Sequence, residues 1–254
     1  MIRTKMQWAA LPIVVALTIA AMGGLAYADA AGGQGGVELW SAKDLPIKQG
    51  ETIAFLGDSI TAGGAAPNGY CRLIDNAIAK AHPDQGVKII YAGISGHKVP
   101  DLQKRLDHDV IAKKPTAVFI YIGINDVWHS AWGKGTAPDK YEAGLRELIQ
   151  RINAAGAVVV LATPSVIGEK TDGSNKFDKM LDEYSVISRK VAADTNTTLC
   201  DLHEAFQKHL KDNNPQNKEK GILTGDGVHL SPAGNRFVAD RASEAILAAL
   251  KKRK

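Results

Sequence analysis

The chain has 254 residues, 45% of them hydrophobic and 23% charged, which suits one substantial globular domain with a large core. Its formal charge of +4 arises at the ends: without Arg3, Lys5 and the tail Lys251-Lys252-Arg253-Lys254, 25 basic residues stand against 27 acidic ones. This slightly acidic body gives no reason to expect a nucleic-acid partner.

Residues 1–28 have the pattern of a secretory signal peptide. Arg3 and Lys5 supply positive charge, residues 8–25 are mostly apolar, and Ala26-Tyr27-Ala28 places small residues at a cleavage point. The apolar run is close to the roughly 18 to 20 residues that span a bilayer, so an uncleaved anchor is the alternative. Small residues late in the run favour cleavage, and we expect a secreted or periplasmic protein without stable membrane insertion.

After the signal peptide the pattern predicts three regions. Residues 29–50 are a glycine-rich leader and irregular lead-in, residues 51–250 form one domain, and residues 251–254 are a basic tail. Within the domain, strand-like apolar runs alternate with helical patterns, which indicates a parallel sheet between helices, and the continuous runs indicate burial on both faces. We predict a three-layer α/β/α domain with five parallel strands. The predicted strands are 52–56, 87–92, 117–122, 157–162 and 198–202, and the predicted helices are 70–81, 101–113, 139–155, 177–193 and 231–250.

Gly57-Asp58-Ser59 places a serine hydroxyl at the exit of the first predicted strand. A parallel α/β sheet carries its chemistry at the carboxyl ends of its strands. Glycine, aspartate and serine are also frequent turn residues, so the alternative is that this stretch is an ordinary turn without a catalytic role. Three later stretches fall at the same sheet edge and predict one shared site: Ala92-Gly93-Ile94-Ser95-Gly96, Gly123-Ile124-Asn125-Asp126 and Asp226-Gly227-Val228-His229.

Ser59 is the candidate nucleophile, and a hydroxyl becomes a strong nucleophile only when a base takes its proton. His229 is the candidate base, because neutral imidazole accepts a proton near neutral pH. Asp226 can reach the other ring nitrogen around a tight turn and fix its tautomer. The alternatives are a capping role for His229 before the last helix and an Asx turn of Asp226 with Gly227, which can coexist with the first role.

Negative charge on a substrate's carbonyl oxygen requires hydrogen-bond donors that are already in place. The candidate oxyanion donors are the N–H groups of Ser59 and Gly93 and the side-chain amide of Asn125. Glycine at position 93 would also let the substrate approach the backbone closely. The alternatives are an ordinary turn glycine and an Asx-type loop at Asn125-Asp126.

The chain resembles the SGNH, or GDSL-type, hydrolase superfamily of esterases and lipases from about Glu51 to Leu250. Its four blocks match, in the family's order, Gly57-Asp58-Ser59-Ile60-Thr61, Gly93, Gly123-Ile124-Asn125-Asp126 and Asp226-Gly227-Val228-His229. The resemblance implies a flavodoxin-like sheet, the roles given above for Ser59, Asp226 and His229, the three oxyanion donors, and no metal or organic cofactor. One departure is Tyr91, where the family often has an asparagine that supports the loop at Gly93.

Candidate substrate contacts follow the third block. Trp128, His129 and Trp132 can stack on a sugar ring or line an acyl pocket, or else pack onto the domain. Asp58, beside Ser59, is a further candidate contact.

The remaining polar and sulfur side chains have simpler interpretations. His82, His108, His203 and His209 are predicted at the surface, and the histidines show no metal-ligand spacing. Cys71 and Cys200 could form a disulfide in an exported protein or remain two buried thiols.

These observations predict an exported serine esterase that works through an acyl-enzyme on small-molecule or glycan esters. The resemblance favours acetyl groups on carbohydrates. The alternatives are a lysophospholipase or lipase, a carbohydrate-binding relative without turnover, and acyl transfer to a sugar in place of hydrolysis.

Overall fold

The computed structural model describes residues 44–253. The predicted signal peptide and most of the leader therefore lie outside the described residues. Between positions 44 and 253, no helix combines the length and apolar character that crossing a bilayer requires.

The centre of the molecule is a five-stranded parallel sheet with the order β2-β1-β3-β4-β5. Its strands are β1 (Thr52–Gly57), β2 (Lys88–Gly93), β3 (Ala117–Tyr121), β4 (Val158–Ala162) and β5 (Thr198–Cys200). This is the flavodoxin-like order, in which β2 lies on one side of β1 and β3 lies on the other side. The prediction of a five-stranded parallel sheet is confirmed, and the crevice between the ends of β1 and β3 is where such sheets bind ligands.

Eight α-helices of the described residues accompany the sheet. They are α1 (Ser59–Gly64), α2 (Tyr70–Ala81), α3 (Val99–Asp109), α4 (Ile124–Trp128), α5 (Pro138–Ala154), α6 (Asp178–Asp194), α7 (Leu202–Asn213) and α8 (Pro232–Lys251). Helices α3, α5 and α6 pack side by side in one layer, and α2 packs against α8 in the other. The predicted α/β/α architecture is therefore confirmed.

The core lies on the central strands. Every residue of β1 and β3 is buried, as the continuous apolar runs predict. The edge strand β2 differs, because burial there alternates and only Ile90 and Ala92 are fully buried. An edge strand has a neighbour on one side alone, so fewer of its residues are enclosed.

Several element boundaries differ from the predicted ones. The short helices α1 and α4 and the longer α7 were not predicted, and the last strand ends at Cys200 instead of residue 202. The strand ends there because the Asp201 side chain accepts a hydrogen bond from the N–H of Glu204 and caps α7. Helix α3 begins earlier than predicted, with Pro100 in its first turn, where proline is tolerated.

Two predictions about single residues are also decided by the fold. Cys71 and Cys200 are both buried and free, so of the two alternatives the structure has separate thiols. Burial raises the pKa of both thiols. The prediction that His203 lies at the surface is wrong, since it is 3% exposed.

Candidate functional site

Two side chains 170 positions apart meet at the switch point of the sheet. Ser59 is the first residue of α1, two residues after the last residue of β1, and its Oγ lies 2.9 Å from Nε2 of His229. Nδ1 of the same ring lies 2.7 Å from Oδ2 of Asp226. The structure thus brings the three predicted catalytic residues into one hydrogen-bonded row, serine to histidine to aspartate.

Asp226 and His229 belong to one tight turn. Oδ1 of Asp226 accepts hydrogen bonds from the N–H groups of Val228 at 2.9 Å and His229 at 2.7 Å, so the carboxylate forms an Asx turn. Gly227 makes this possible, because its φ of +98° is a conformation that other residues rarely adopt. The two alternatives for Asp226 coexist, since one oxygen shapes the turn and the other bonds the ring.

The electrostatics keep this carboxyl ionised. Partial burial raises the pKa of Asp226, but hydrogen bonds from the His229 ring and from two backbone N–H groups outweigh it and lower the pKa to about 2. The side chains of His229 and Asp226 are 44% and 55% exposed, so the row is open to solvent and to a large substrate.

Glu169 anchors the turn that carries Asp226 and His229. Its buried carboxylate accepts hydrogen bonds from the N–H groups of residues 222–224 and from the hydroxyl of Thr224. The segment that follows is closed by a β-bridge between Thr224 and Leu230. Glu169 therefore fixes the base of this loop two residues before Asp226.

The predicted oxyanion donors lie at the same edge. Asn125 is buried in the first turn of α4, and its side-chain amide donates to the carbonyl oxygen of His97 at 3.1 Å. This bond uses one of the two amide protons and orients the group. Gly93 ends β2, beside Gly57 of β1 in the sheet register.

The structure adds a reason for glycine at position 93. A Cβ at this position would stand 2.2 Å from the backbone nitrogen of Ala62. The close packing of α1 on β2 therefore requires glycine at this position, whereas the predicted close approach of substrate stays a prediction.

Arg105 supports the ends of β1 and β2 beside Gly93. Its largely buried guanidinium donates from Nη2 to the carbonyl oxygens of Gly57 and Ala92, both at 2.9 Å. Its Nε donates to Nδ1 of His97 at 3.1 Å. The ends of β1 and β2 are thus tied together by one side chain from α3.

Sequence reasoning missed both Glu169 and Arg105. A glutamate in a loop and an arginine in an amphipathic helix each look like solvated residues. Glu169 bonds to residues 53 to 55 positions away, and Arg105 reaches Gly57 across 48 positions. Such distant contacts leave no local pattern in one sequence.

The burial of Asp58 disagrees with the prediction that this residue contacts the substrate. It is 1% exposed, and its carboxylate accepts a hydrogen bond from the N–H of Ile60 at 2.9 Å, which caps α1. Burial raises the pKa of Asp58 to about 7, although the hydrogen bond from the N–H of Ile60 acts to lower it. Burial likewise raises the pKa of Asp126 to about 6.

The raised pKa of Asp58 predicts a pH effect on stability. Between its ordinary pKa of 3.8 and about 7 the folded protein holds more protons at Asp58 than the unfolded chain does, so the free energy of unfolding falls as pH rises. Asp58→Asn removes the titrating carboxyl, so the decrease in the free energy of unfolding over this pH range should be smaller in the variant by about 1 to 4 kcal/mol. Asparagine keeps an oxygen that can cap Ile60. Urea unfolding at a series of pH values measures the difference.

The control for this experiment is Asp84→Asn, which alters an exposed carboxyl before β2. Its stability curve should run parallel to that of the unmodified protein. A parallel curve for Asp58→Asn as well would contradict the prediction.

The predicted aromatic contacts follow Asn125 on α4 and on the short 3₁₀ helix His129–Trp132 after it. Trp128 ends α4, and the indole rings of Trp128 and Trp132 have centroids 6.3 Å apart. The His129 ring lies 5.9 Å from that of Trp132, which is 63% exposed. Trp128 lines a cavity together with Asp226. Within residues 44–253, no group of three or more histidine, cysteine, aspartate or glutamate side chains is arranged to hold a metal ion.

Comparisons with known proteins agree with the geometry. The model of the GDSL-like lipase/acylhydrolase family matches residues 55–237. The chain is 34% identical over 212 residues to an acetylxylan esterase of Geobacillus stearothermophilus, which covers 77% of this chain and 93% of that protein. It is 26% identical over 204 residues to the isoamyl acetate-hydrolyzing esterase 1 homolog of Rattus norvegicus, covering 73% of this chain and 77% of that one.

Solved structures show the same likeness. The crystal structure of an acetyl xylan esterase, AlAXEase, superposes with a TM-score of 0.74 at 43% identity, over 76% of this chain and 98% of that one. The Geobacillus stearothermophilus acetylxylan esterase gives a TM-score of 0.69 at 32% identity, over 79% and 95% of the two chains. Similar structures include catalytic mutants of that esterase in which a serine, a histidine or an aspartate is replaced by alanine.

Proposed function

We propose a function from the premise that this chain belongs to the GDSL-like lipase/acylhydrolase family and is a carboxylic ester hydrolase. The proposed function is the removal of acetyl groups from carbohydrates through an acyl-enzyme. The observation that carries the mechanism is the hydrogen-bonded row from Ser59 through His229 to Asp226. A serine beside an imidazole that a carboxylate orients is the arrangement that acyl transfer to a hydroxyl requires.

In the first step, Oγ of Ser59 attacks the carbonyl carbon of the ester while Nε2 of His229 takes its proton. The distance of 2.9 Å between these atoms suits direct transfer. Asp226 stays ionised, because its pKa is about 2, and it stabilises the imidazolium that forms. The alcohol then leaves with the proton from His229, and water repeats the sequence on the acyl-enzyme.

The negative charge of the tetrahedral intermediate needs donors. We assign this role to the N–H groups of Ser59 and Gly93 and to the second amide proton of Asn125. Donors held in place before the reaction each contribute about 3 to 4 kcal/mol. The bond of Asn125 to the His97 carbonyl and the bonds of Arg105 to the strand ends supply that rigidity.

A carbohydrate acetate is the substrate class that the observations favour. Two relatives are named for hydrolysis of acetyl esters, an acetylxylan and isoamyl acetate. The open row of catalytic side chains admits a bulky alcohol such as a glycan. A lipid-directed enzyme would need a contiguous apolar rim, but within the described residues the exposed large hydrophobic side chains are only Ile94, Trp132 and Val186, on separate elements.

We also infer export to the periplasm or the medium, which would give the enzyme access to polymeric glycans. The support is the sequence pattern of residues 1–28: a charged start, an apolar run and small residues at a cleavage point. Cell fractionation combined with N-terminal sequencing tests this inference, and recovery of the protein only from the cytoplasm with an intact N-terminus would contradict it.

The substrate assignment is tested by hydrolysis across acyl chain lengths and alcohol types. We expect kcat/KM to fall at least about 10-fold from p-nitrophenyl acetate to the octanoate, because a site shaped for acetyl rejects a longer chain. Acetylated xylo-oligosaccharides should release free acetate, detected by mass spectrometry. Faster hydrolysis of a lysophospholipid than of these acetates would overturn the assignment, and acetyl transfer to added xylose would indicate a transferase.

A further inference from the structure

A cavity of about 350 Å³ lies next to the catalytic row, at the low end of the size range of small-molecule sites. It is bounded on one side by Asp226, Gly227 and Val228 of the catalytic turn and on the others by Trp128 and Phe177. We call it the Trp128 cavity. Trp128 is three residues after Asn125 in α4, so both side chains project from the same side of that helix.

The walls of the Trp128 cavity combine flat apolar surface with polar donors. Trp128 and Phe177 are half-buried aromatic residues that also pack against the core, and Ser174 and Lys176 are exposed polar residues. The ammonium of Lys176 lies 5.2 Å from the centre of the Phe177 ring, so the aromatic face holds this donor at the wall. A sugar ring has matching chemistry, with C–H groups on its face and hydroxyl groups around its edge.

The charges of the cavity favour a neutral ligand. Lys170 and Lys176 line the cavity together with Glu219 and Asp226, so the positive and negative charges of its lining balance. An anionic sugar or a phosphate would meet two carboxylates, whereas hydroxyl groups can donate to carboxylates and accept from ammonium groups.

We propose that the Trp128 cavity is a subsite for an uncharged sugar ring that neighbours the acetylated ring of the substrate. The proposal rests on the proposed function and deepens it, since it makes the preferred substrate an oligosaccharide acetate. Proximity carries it: Asp226 lines the cavity, and its carboxylate is 2.7 Å from the imidazole that bonds Ser59, so the cavity lies beside the catalytic residues where the next ring of an oligosaccharide would be held.

The test compares two substrates in three variants. Lys176→Ala removes the exposed donor, and Phe177→Leu keeps the bulk but removes the flat ring. Lys179→Ala, in the first turn of α6 and outside the cavity lining, is the matched control. The measured quantity is the ratio of kcat/KM for acetylated xylotriose to kcat/KM for p-nitrophenyl acetate.

We expect this ratio to fall about 10-fold in Lys176→Ala, the loss of one hydrogen bond from a charged donor, and to fall in Phe177→Leu. Lys179→Ala should keep the ratio of the unmodified enzyme. An unchanged ratio in Lys176→Ala and Phe177→Leu would overturn the subsite while leaving the esterase in place.

A binding measurement separates failure of the subsite from failure of the proposed function. Unacetylated xylotriose is titrated into Ser59→Ala, with calorimetry and tryptophan fluorescence as readouts. We expect binding that weakens when Lys176→Ala is added and that changes the tryptophan fluorescence of the protein. Absence of binding overturns the subsite whatever the activity, whereas binding without any turnover of acetates by the unmodified enzyme would overturn the proposed function alone.

Discussion

Replacing Ser59 with alanine is expected to lower kcat for p-nitrophenyl acetate by at least about 10⁴-fold, since the nucleophile is lost and only binding and charge stabilisation remain. The fold should survive. Asp58, not Ser59, supplies the side-chain cap of α1, and alanine is a strong helix former, so the change in unfolding free energy should stay within about 0.5 kcal/mol.

The matched control for this variant is Ser95→Ala, which alters an exposed serine two residues after Gly93. It should keep the activity of the unmodified enzyme. A fluorophosphonate should label the unmodified protein once and fail to label Ser59→Ala. Hydrolysis by Ser59→Ala at the original rate, or labelling at another residue, would remove Ser59 from the mechanism.

Replacing Glu169 with alanine is expected to cause a large loss of stability together with a loss of turnover. Four donors of residues 222–224 lose their acceptor in a buried loop, and unpaired buried donors are costly. We expect a decrease of about 3 to 5 kcal/mol in the free energy of unfolding, measured by urea denaturation.

Turnover should also fall, because the loop that Glu169 holds presents Asp226 and His229. A displacement of about 1 Å in a catalytic group costs on the order of 10²-fold in rate. Measured well below the melting temperature, the loss should appear in kcat with little change in KM. A stability loss without any change in kcat would contradict a positioning role.

Two companion variants sharpen this experiment. Glu169→Gln keeps the shape and one acceptor oxygen, but it turns an amide nitrogen toward the N–H groups of the loop, so it should recover part of both losses. Glu183→Ala removes an exposed carboxylate from α6 and should change neither quantity.

Much of this molecule could be predicted from the order of its residues, because the relevant signals are local. The bounds of α2 were predicted correctly, since its apolar positions recur at helical spacing. The strands were located by continuous apolar runs, and the four short blocks identified the family and singled out Ser59, Asp226 and His229. Each of these signals is contained in a window of about 20 residues or fewer.

Other distant contacts were decided by the tertiary structure alone. Asp58 became a buried helix cap and His203 a buried residue, although both look polar and solvated in the sequence. Glu169 and Arg105 became the supports of the catalytic turn and of the strand ends through contacts 48 to 55 positions apart. Local patterns report backbone conformation and which face is apolar, but the burial of a charged side chain depends on acceptors and donors that only the packed sheet and loops bring within reach.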